Sequence, residues 1–450
     1  MTSHDKLMIS VAGIRGIVGQ SLTPENVSGF AAAFGTFCGQ GRIVVGRDSR
    51  HSGPMLESAV EAALQSVGCD VIKIGIVPTP TVQLMVRELG ARGGIAITAS
   101  HNPPQWNALK FVSGEGIFLS QQQGRKVISL FQDKQQRYLG FDDLGFSFRY
   151  QTAIEDHVQR ILDLPFLNLP LIRKQRYKVV TDTCHGAGGP IFELLLKKLG
   201  CQVISLYPET NGDFPRPIEP QAKNLKALEA AVKKHKADIG FATDADVDRL
   251  SIVSGQGKAL GEEYSLALAV MFMLQNKKGP VVTNLSTSRM VEDVSEKFGI
   301  KVIRTAIGEA NVVSAMKKSR AVIGGEGNGG IIIPALNYGR DATAGMALIL
   351  QLMAQSGQSI SQLAGELPVY AMIKETLEVK EPAKLLALVK KKYTGQKMDA
   401  SDGVKVLFQD SWVHVRSSGT EPIVRVIAEA QTAAKAGALI MDVKRLTGTG

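Results

Sequence analysis

What most constrains this chain is a cycle that repeats three times along its first two-thirds. Short β-branched runs alternate with longer amphipathic segments, and each cycle ends in a strand that runs into a polar or glycine-rich loop. Alternation of this kind specifies strands returning through crossover helices, whose apolar stripes are buried on the sheet. In the first cycle strands are expected over residues 42–46, 70–74 and 94–98, with helices over 54–67 and 81–89 between them. The second cycle places strands at 177–181, 202–206 and 238–242, and the third at 281–284, 302–305 and 321–324. The closing loops are residues 98–103, 243–249 and 324–330. In open α/β sheets ligands bind beyond the carboxyl ends of the strands, where helix N-termini and loop amides converge. Three similar mixed-sheet α/β domains facing a central cleft are therefore expected. Residue identity between the cycles is slight, so the repeat is one of structure.

From about Tyr370 the pattern becomes alternating strands (373–379, 404–408, 412–416, 424–428) around a Lys-rich helix, with a last helix near 433–445. That is a smaller C-terminal α+β domain. At 450 residues the chain is too long for one core. The expected domains cover residues 1–148, 149–255, 256–368 and 369–450, with linkers near 140–150, 254–260 and 366–370.

A net charge of +10 raises the question of nucleic acid. The densest basic runs, 233–236 and 390–392, lie in helix-like segments, where a solvated face accounts for them. Aromatics are only 6%, too few for base-stacking platforms, and a positive field equally favours small phosphorylated substrates. No nucleic-acid partner is expected. The longest apolar run, 266–274, is too short for a membrane span, and residues 1–6 lack a signal-peptide core. Four cysteines without CxxC spacing suit a reduced compartment. The expectation is a cytoplasmic protein without a membrane partner.

Chemistry concentrates in four loops. Ser100 ends a buried strand and precedes His101 and a proline pair; Asn107 and Lys110 follow closely, and Arg15 of a Gly-Ile-Arg-Gly turn can place a further cation nearby. A serine so placed can carry a phosphoryl group, whose dianion needs charge compensation. Asp244, Asp246 and Asp248 alternate along an extended segment and so project to one side. Three convergent carboxylates demand a cation, and oxygen-only ligation suits magnesium. An EF-hand is excluded, because Arg249 and Gly255 occupy its glycine and glutamate positions. Residues 325–330 match the GxGxxG dinucleotide fingerprint formally, but another strand follows instead of a helix, which leaves no pyrophosphate site. Glu326 and Asn328 there offer an acceptor and a donor for sugar hydroxyls. Arg416, Ser418, Gly419, Thr420 and Arg425 combine cations, hydroxyls and a glycine turn into a phosphate nest.

Together, in this order, the four loops resemble the phosphoserine, metal, sugar and phosphate loops of the α-D-phosphohexomutase family, and the resemblance covers essentially the whole chain. It implies an isomerase that moves phosphate between O6 and O1 of a hexose through phosphorylated Ser100 and a 1,6-bisphosphate, the same compound serving as priming donor. By the same resemblance Ser100 joins Asp244, Asp246 and Asp248 around one magnesium per active site. Arg15, His101 and Lys110 lie near the transferring group, with Lys110 a candidate proton shuttle. Arg249, Glu326 and Asn328 face the sugar, and the residues of the fourth loop hold the non-reacting phosphate. The family often has glycine where this chain has Ala245, Val247 and Ala108, and many relatives have a histidine at Gly330. The segments 325–330 and 337–341 look most like archaeal-type phosphoglucosamine mutases and their phosphomannomutase or phosphoglucomutase neighbours, so a phosphosugar, glucosamine phosphate first, is the implied substrate. The family admits a homodimer without fixing the oligomeric state. Two other readings compete: an aspartyl-phosphate phosphatase built on Asp244 and Asp246, and a basic nucleic-acid binder. The first leaves Ser100 and the fourth loop without a role, and the second predicts a DNA affinity that falls steeply with salt.

Overall fold

The computed structural model describes residues 7–417 and 423–447. The first cycle closes into a seven-stranded sheet in the order Met8–Ser10, Gly13–Ile17, Trp106–Ser113, Gly93–Ile97, Gly41–Arg47, Cys69–Ile76, Ser147–Arg149. Ile43 to Gly46 are buried without interruption, as a strand covered on both faces requires. Helix Pro24–Cys38 covers one face; Thr23 caps it by accepting from the Asn26 amide, and a proline opens it. Strand Ser147–Arg149, inside the segment expected to be a linker, pairs in parallel with Cys69–Ile76.

A four-strand unit recurs in three sheets. It reads Trp106–Ser113, Gly93–Ile97, Gly41–Arg47, Cys69–Ile76 in the first and Leu250–Ser254, Ile239–Thr243, Lys178–Asp182, Gln202–Leu206 in the second. In the third it reads Gly330–Ile332, Ile323–Glu326, Val281–Asn284, Val302–Thr305. Each time the first pair is antiparallel and the other two are parallel. Each chemistry-bearing loop is thus the link from the last parallel strand to the antiparallel one beside it. The antiparallel strand was legible beforehand only in the third domain, because WNALKFVS and LSIVS carry weak strand signals.

Helices Glu262–Asn276 and Ala342–Ser356 are buried nearly all round, which accounts for the apolar run 266–274. They sit in one apolar core that continues from Val44 to Leu367 through the first three domains. The C-terminal domain is a five-stranded antiparallel sheet, in the order Ala371–Glu378, Ile423–Ala430, Trp412–Ser417, Val404–Leu407, Lys397–Asp399. Helices Pro382–Lys392 and Ala433–Arg445 pack on it around a core of its own.

Candidate functional site

Three strand ends bring their loops to one place. Ser100 is 6% exposed and adopts φ 50°, the left-handed region. Its Oγ donates to Asp244 Oδ2 at 2.7 Å and lies 3.3 Å from His101 Nδ1. Lys110 lies on the antiparallel strand that returns from this loop, and its Nζ donates to Asp246 Oδ2 at 2.6 Å, with Asp248 Oδ2 at 3.8 Å. Arg15 lies across that strand pair and donates from Nη1 to Asn102 Oδ1 at 2.9 Å. The phosphoserine and metal loops therefore meet through side chains 136 and 144 residues apart.

All three aspartates are essentially fully buried, and one oxygen from each lies within 4.8 Å of the other two. Each Oδ2 has a donor: Ser100 for Asp244, Thr79 and Lys110 for Asp246, and Arg340 for Asp248. Each Oδ1 is buried without any hydrogen-bond partner. Three orphaned carboxylate oxygens on a buried cluster of this kind would cost several kcal/mol if nothing compensated them. The donor set is all oxygen and closely spaced, which fits a hard divalent cation. The electrostatics agree. Burial pushes the Asp244 carboxyl well above the usual range, and the charges of Asp248 and Asp246 push it the same way. Burial also raises Asp246, but the Lys110 ammonium overcomes this and holds it below its ordinary value. Val247 occupies the left-handed region at φ 62°, a costly conformation for a β-branched residue. A glycine at this position would avoid that strain.

Arg249 reaches Glu219 Oε1 at 2.5 Å, while its Nε stands 3.8 Å from Asp248 and 3.9 Å from Asp244 without a hydrogen bond. Burial, with the Arg249 charge beside it, pushes the His101 imidazole down to about 2, so it is neutral.

Glu326 is buried and already engaged. It accepts from Asn284 Nδ2 at 2.8 Å, from the Gly308 amide at 3.2 Å and from Arg340 Nη1 at 2.8 Å. Asn328 Oδ1 accepts from the Gly330 amide at 3.2 Å and its side chain is half-buried. Arg340 is the residue that sequence reasoning missed here. It joins three carboxylates: Asp248 at 2.5 Å, Glu326 at 2.8 Å and Glu309 at 2.9 Å. A Cβ at Gly330 would lie 2.3 Å from Arg340 Cδ, so the arginine stem fills the space that a side chain at 330 would need. The only sequence signal was an arginine next to Asp341 with no assigned task. Glu309 is held up to about 7 by burial, against the pull of Arg340.

In the C-terminal domain Arg416 and Arg425 face each other on neighbouring strands, and Arg416 Nε is buried without a partner. Ser418, Gly419 and Thr420 lie outside the described residues.

Models of the phosphoglucomutase/phosphomannomutase domains match the chain in order: α/β/α domain I over residues 7–138, domain II over 155–257, domain III over 261–370 and the C-terminal domain over 376–446. The chain is 38% identical over 436 residues to a phosphoglucomutase/phosphomannomutase of Thermococcus kodakarensis, covering 94% of each. It is 34% identical to a phosphoglucosamine/phosphogalactosamine mutase of Sulfurisphaera tokodaii, covering 96% of this chain and 97% of the relative. Among solved structures, a phosphoglucomutase/phosphomannomutase family protein of Burkholderia thailandensis superposes with a TM-score of 0.84 at 28% identity, covering 98% and 97% of the two chains.

Proposed function

Because this chain belongs to the phosphoglucomutase/phosphomannomutase family of phosphohexomutases, which are isomerases, we propose that it interconverts glucosamine 6-phosphate and glucosamine 1-phosphate through phosphorylated Ser100, with magnesium at Asp244, Asp246 and Asp248. The observation that carries this reading is the junction of Ser100 Oγ, 2.7 Å from Asp244, with three orphaned Oδ1 atoms. When bound, the magnesium supplies charge neutralisation for the phosphoryl group in transfer.

The chain's own residues position and neutralise. Phosphorylated Ser100 loses its phosphoryl group to a sugar hydroxyl: the serine O–P bond breaks, the sugar O–P bond forms, and the hydroxyl proton ends on the serine oxygen. His101 lies 3.3 Å from that oxygen and stays neutral beside it, and Lys110, on the strand that returns from the loop, is the candidate that moves the proton. The resulting 1,6-bisphosphate reorients and returns its other phosphate to Ser100. Lys110 and Arg15 add positive charge beside the loop, and Arg249 adds it at the metal loop. Arg340 ties the sugar loop to the metal loop, so Glu326 is fixed before the sugar arrives. Arg416 and Arg425, with Ser418, Gly419 and Thr420, receive the phosphate that is not reacting. Hexose 1,6-bisphosphate primes Ser100.

The sugar choice follows the Sulfurisphaera tokodaii relative, whose name specifies phosphoglucosamine and phosphogalactosamine. A neutral hydrogen bond to the 2-substituent is worth about 0.5–1.5 kcal/mol, so glucose and mannose phosphates should also turn over. Comparing kcat/KM for the three hexose 1-phosphates tests this. Glucosamine 1-phosphate should lead, and a preference for mannose 1-phosphate overturns the assignment. A gap above about a thousandfold would require a pocket built around the 2-position.

A further inference from the structure

We propose that two buried Asp–Arg pairs, Asp48–Arg50 under the Ser100 loop and Asp182–Arg216 under the metal loop, are positioning residues that hold the reacting loops by their backbone carbonyls; this rests on the mutase reading. Arg50 is 1% exposed and uses all five of its N–H donors. Nε bonds Asp48 Oδ2 at 3.0 Å, Nη1 bonds the carbonyls of Pro103 (2.8 Å) and Trp106 (3.0 Å), and Nη2 bonds those of Ser100 (2.7 Å) and Asn102 (2.7 Å). Three carbonyls of the phosphoserine loop and that of Trp106, where the next strand begins, thus converge on one guanidinium. Asp48 completes the clamp. Its Oδ1 accepts from the Arg50 amide at 3.0 Å, and its Oδ2 accepts from Thr98 Oγ1 at 2.6 Å. Thr98 Oγ1 in turn accepts from the Ser100 amide at 2.9 Å. Both backbone polar groups of Ser100 are therefore fixed, at a left-handed φ that a free loop would leave.

The second domain repeats the device. Asp182 closes the strand beside the one that leads to the metal loop, as Asp48 follows the strand beside the one that leads to Ser100. Asp182 Oδ1 accepts from the Cys184 amide at 3.1 Å, two residues on, and Oδ2 accepts from Arg216 Nε at 2.9 Å. Arg216 then holds the carbonyl of Thr243, the residue before Asp244, at 2.9 Å, and those of Pro217 and Ile218 at 3.0 Å each. At the corresponding strand end of the third domain Asn284 makes the same i to i+2 turn to the Ser286 amide and bonds Glu326 directly. A buried ion pair adds little net stability over a packed apolar pair. The rigid fork of arginine, however, reaches several carbonyls at once, which an ammonium cannot do.

The two clamps differ in grip, and that difference makes the proposal testable. Arg50 fixes four carbonyls around the nucleophile, whereas Arg216 fixes one at the mouth of the metal loop. With wild-type turnover measured first on glucosamine 1-phosphate and magnesium, Arg50→Lys should lower kcat about 100-fold while KM stays within about threefold. Arg216→Lys should weaken magnesium binding, read by calorimetry, about tenfold, with kcat at saturating magnesium within about threefold of wild type. Arg50→Lys with unchanged kcat, or Arg216→Lys with unchanged magnesium affinity, overturns the clamp. If Arg50→Lys does not fold, Thr98→Val decides: it cuts the link between Asp48 and the Ser100 amide and should lower kcat at least about tenfold with KM held, and an unchanged kcat overturns the proposal. Absence of wild-type turnover on every hexose phosphate would instead overturn the mutase reading beneath it.

Discussion

One apolar core runs through the first three domains, which also exchange side-chain bonds at their loops, whereas the fourth keeps a separate core and meets the third largely through polar contacts. Ser100 to Asp244, Lys110 to Asp246 and Arg340 to Asp248 join the three loops within hydrogen-bonding distance. Beneath them His157 of the second domain bonds Thr81 of the first at 2.8 Å and Asp341 of the third at 2.7 Å. Contacts between the third and fourth domains include Lys405 to the Leu285 carbonyl, Ser286 with His414, the Arg289 amide to Glu429, the Ile307 amide to Asp402 and Lys374 with Glu262. Polar interfaces of this kind permit relative domain motion, while a continuous apolar core does not. Phosphoryl transfer requires close positioning, and the residues proposed for it sit in the fused part. Arg416 and Arg425, the described residues of the proposed phosphate anchor, sit in the part with its own core.

The sharpest way to break this comparison is at the nucleophile. Ser100→Ala should lose roughly ten-thousandfold or more in turnover, with no phosphate on the loop by intact-mass and peptide mapping. Turnover near wild type would move the chemistry out of the fused region. Next in size is the metal loop. Replacing Asp244, Asp246 or Asp248 with Ala should raise the magnesium needed for half-maximal activity about 100-fold while circular dichroism stays unchanged. Unaltered metal dependence in all three variants would refute a shared site.

A smaller effect tests whether the three domains unfold as one. His157→Leu leaves Thr81 and Asp341 without their buried partner and should cost roughly 3 kcal/mol. Calorimetry should show the main transition shifting while any transition of the fourth domain holds its midpoint. Equal shifts would mean that all four domains form one cooperative unit.

The smallest effect lies at the polar interface. Burial raises the Glu263 carboxyl from its ordinary 4.5 to about 8, with the Glu262 and Glu429 charges adding to the rise and Lys374 opposing it. The folded protein then keeps a proton that the unfolded chain releases above pH 4.5. This contribution to stability is complete below that pH and is lost as pH rises toward 8, with a slope of at most about 1.4 kcal/mol per pH unit. Glu263→Gln should flatten the thermal midpoint against pH across this window. An identical slope in both proteins would discard the assignment.

Legibility followed distance along the chain. Ser100 with His101, and the alternating Asp244, Asp246 and Asp248, were readable because each group is contiguous and its residue types fit one chemistry. The three-fold cycle was readable because buried parallel strands are unbroken apolar runs. Arg50, Thr79, Asn284, Glu309 and Arg340 were not readable. Their partners lie as far away as 226 residues for Glu309 and Gln83, 167 for Thr79 and Asp246 and 92 for Arg340 and Asp248, and no local pattern encodes such a bond. Glu326 was expected to face the sugar from the types in its loop, but its three donors come from three other segments.

By itself, then, the sequence determined the strand and helix periods, the four loops and the residue types that can carry phosphate and a divalent cation, because these depend on local spacing and side-chain chemistry. Tertiary structure alone decided which carboxylate oxygens are left without partners, that Arg340 fills the space over Gly330, and that Arg50 holds the carbonyls around Ser100. Those outcomes depend on which strand ends meet in the cleft, and burial there turns an ordinary aspartate or arginine into one whose every partner matters.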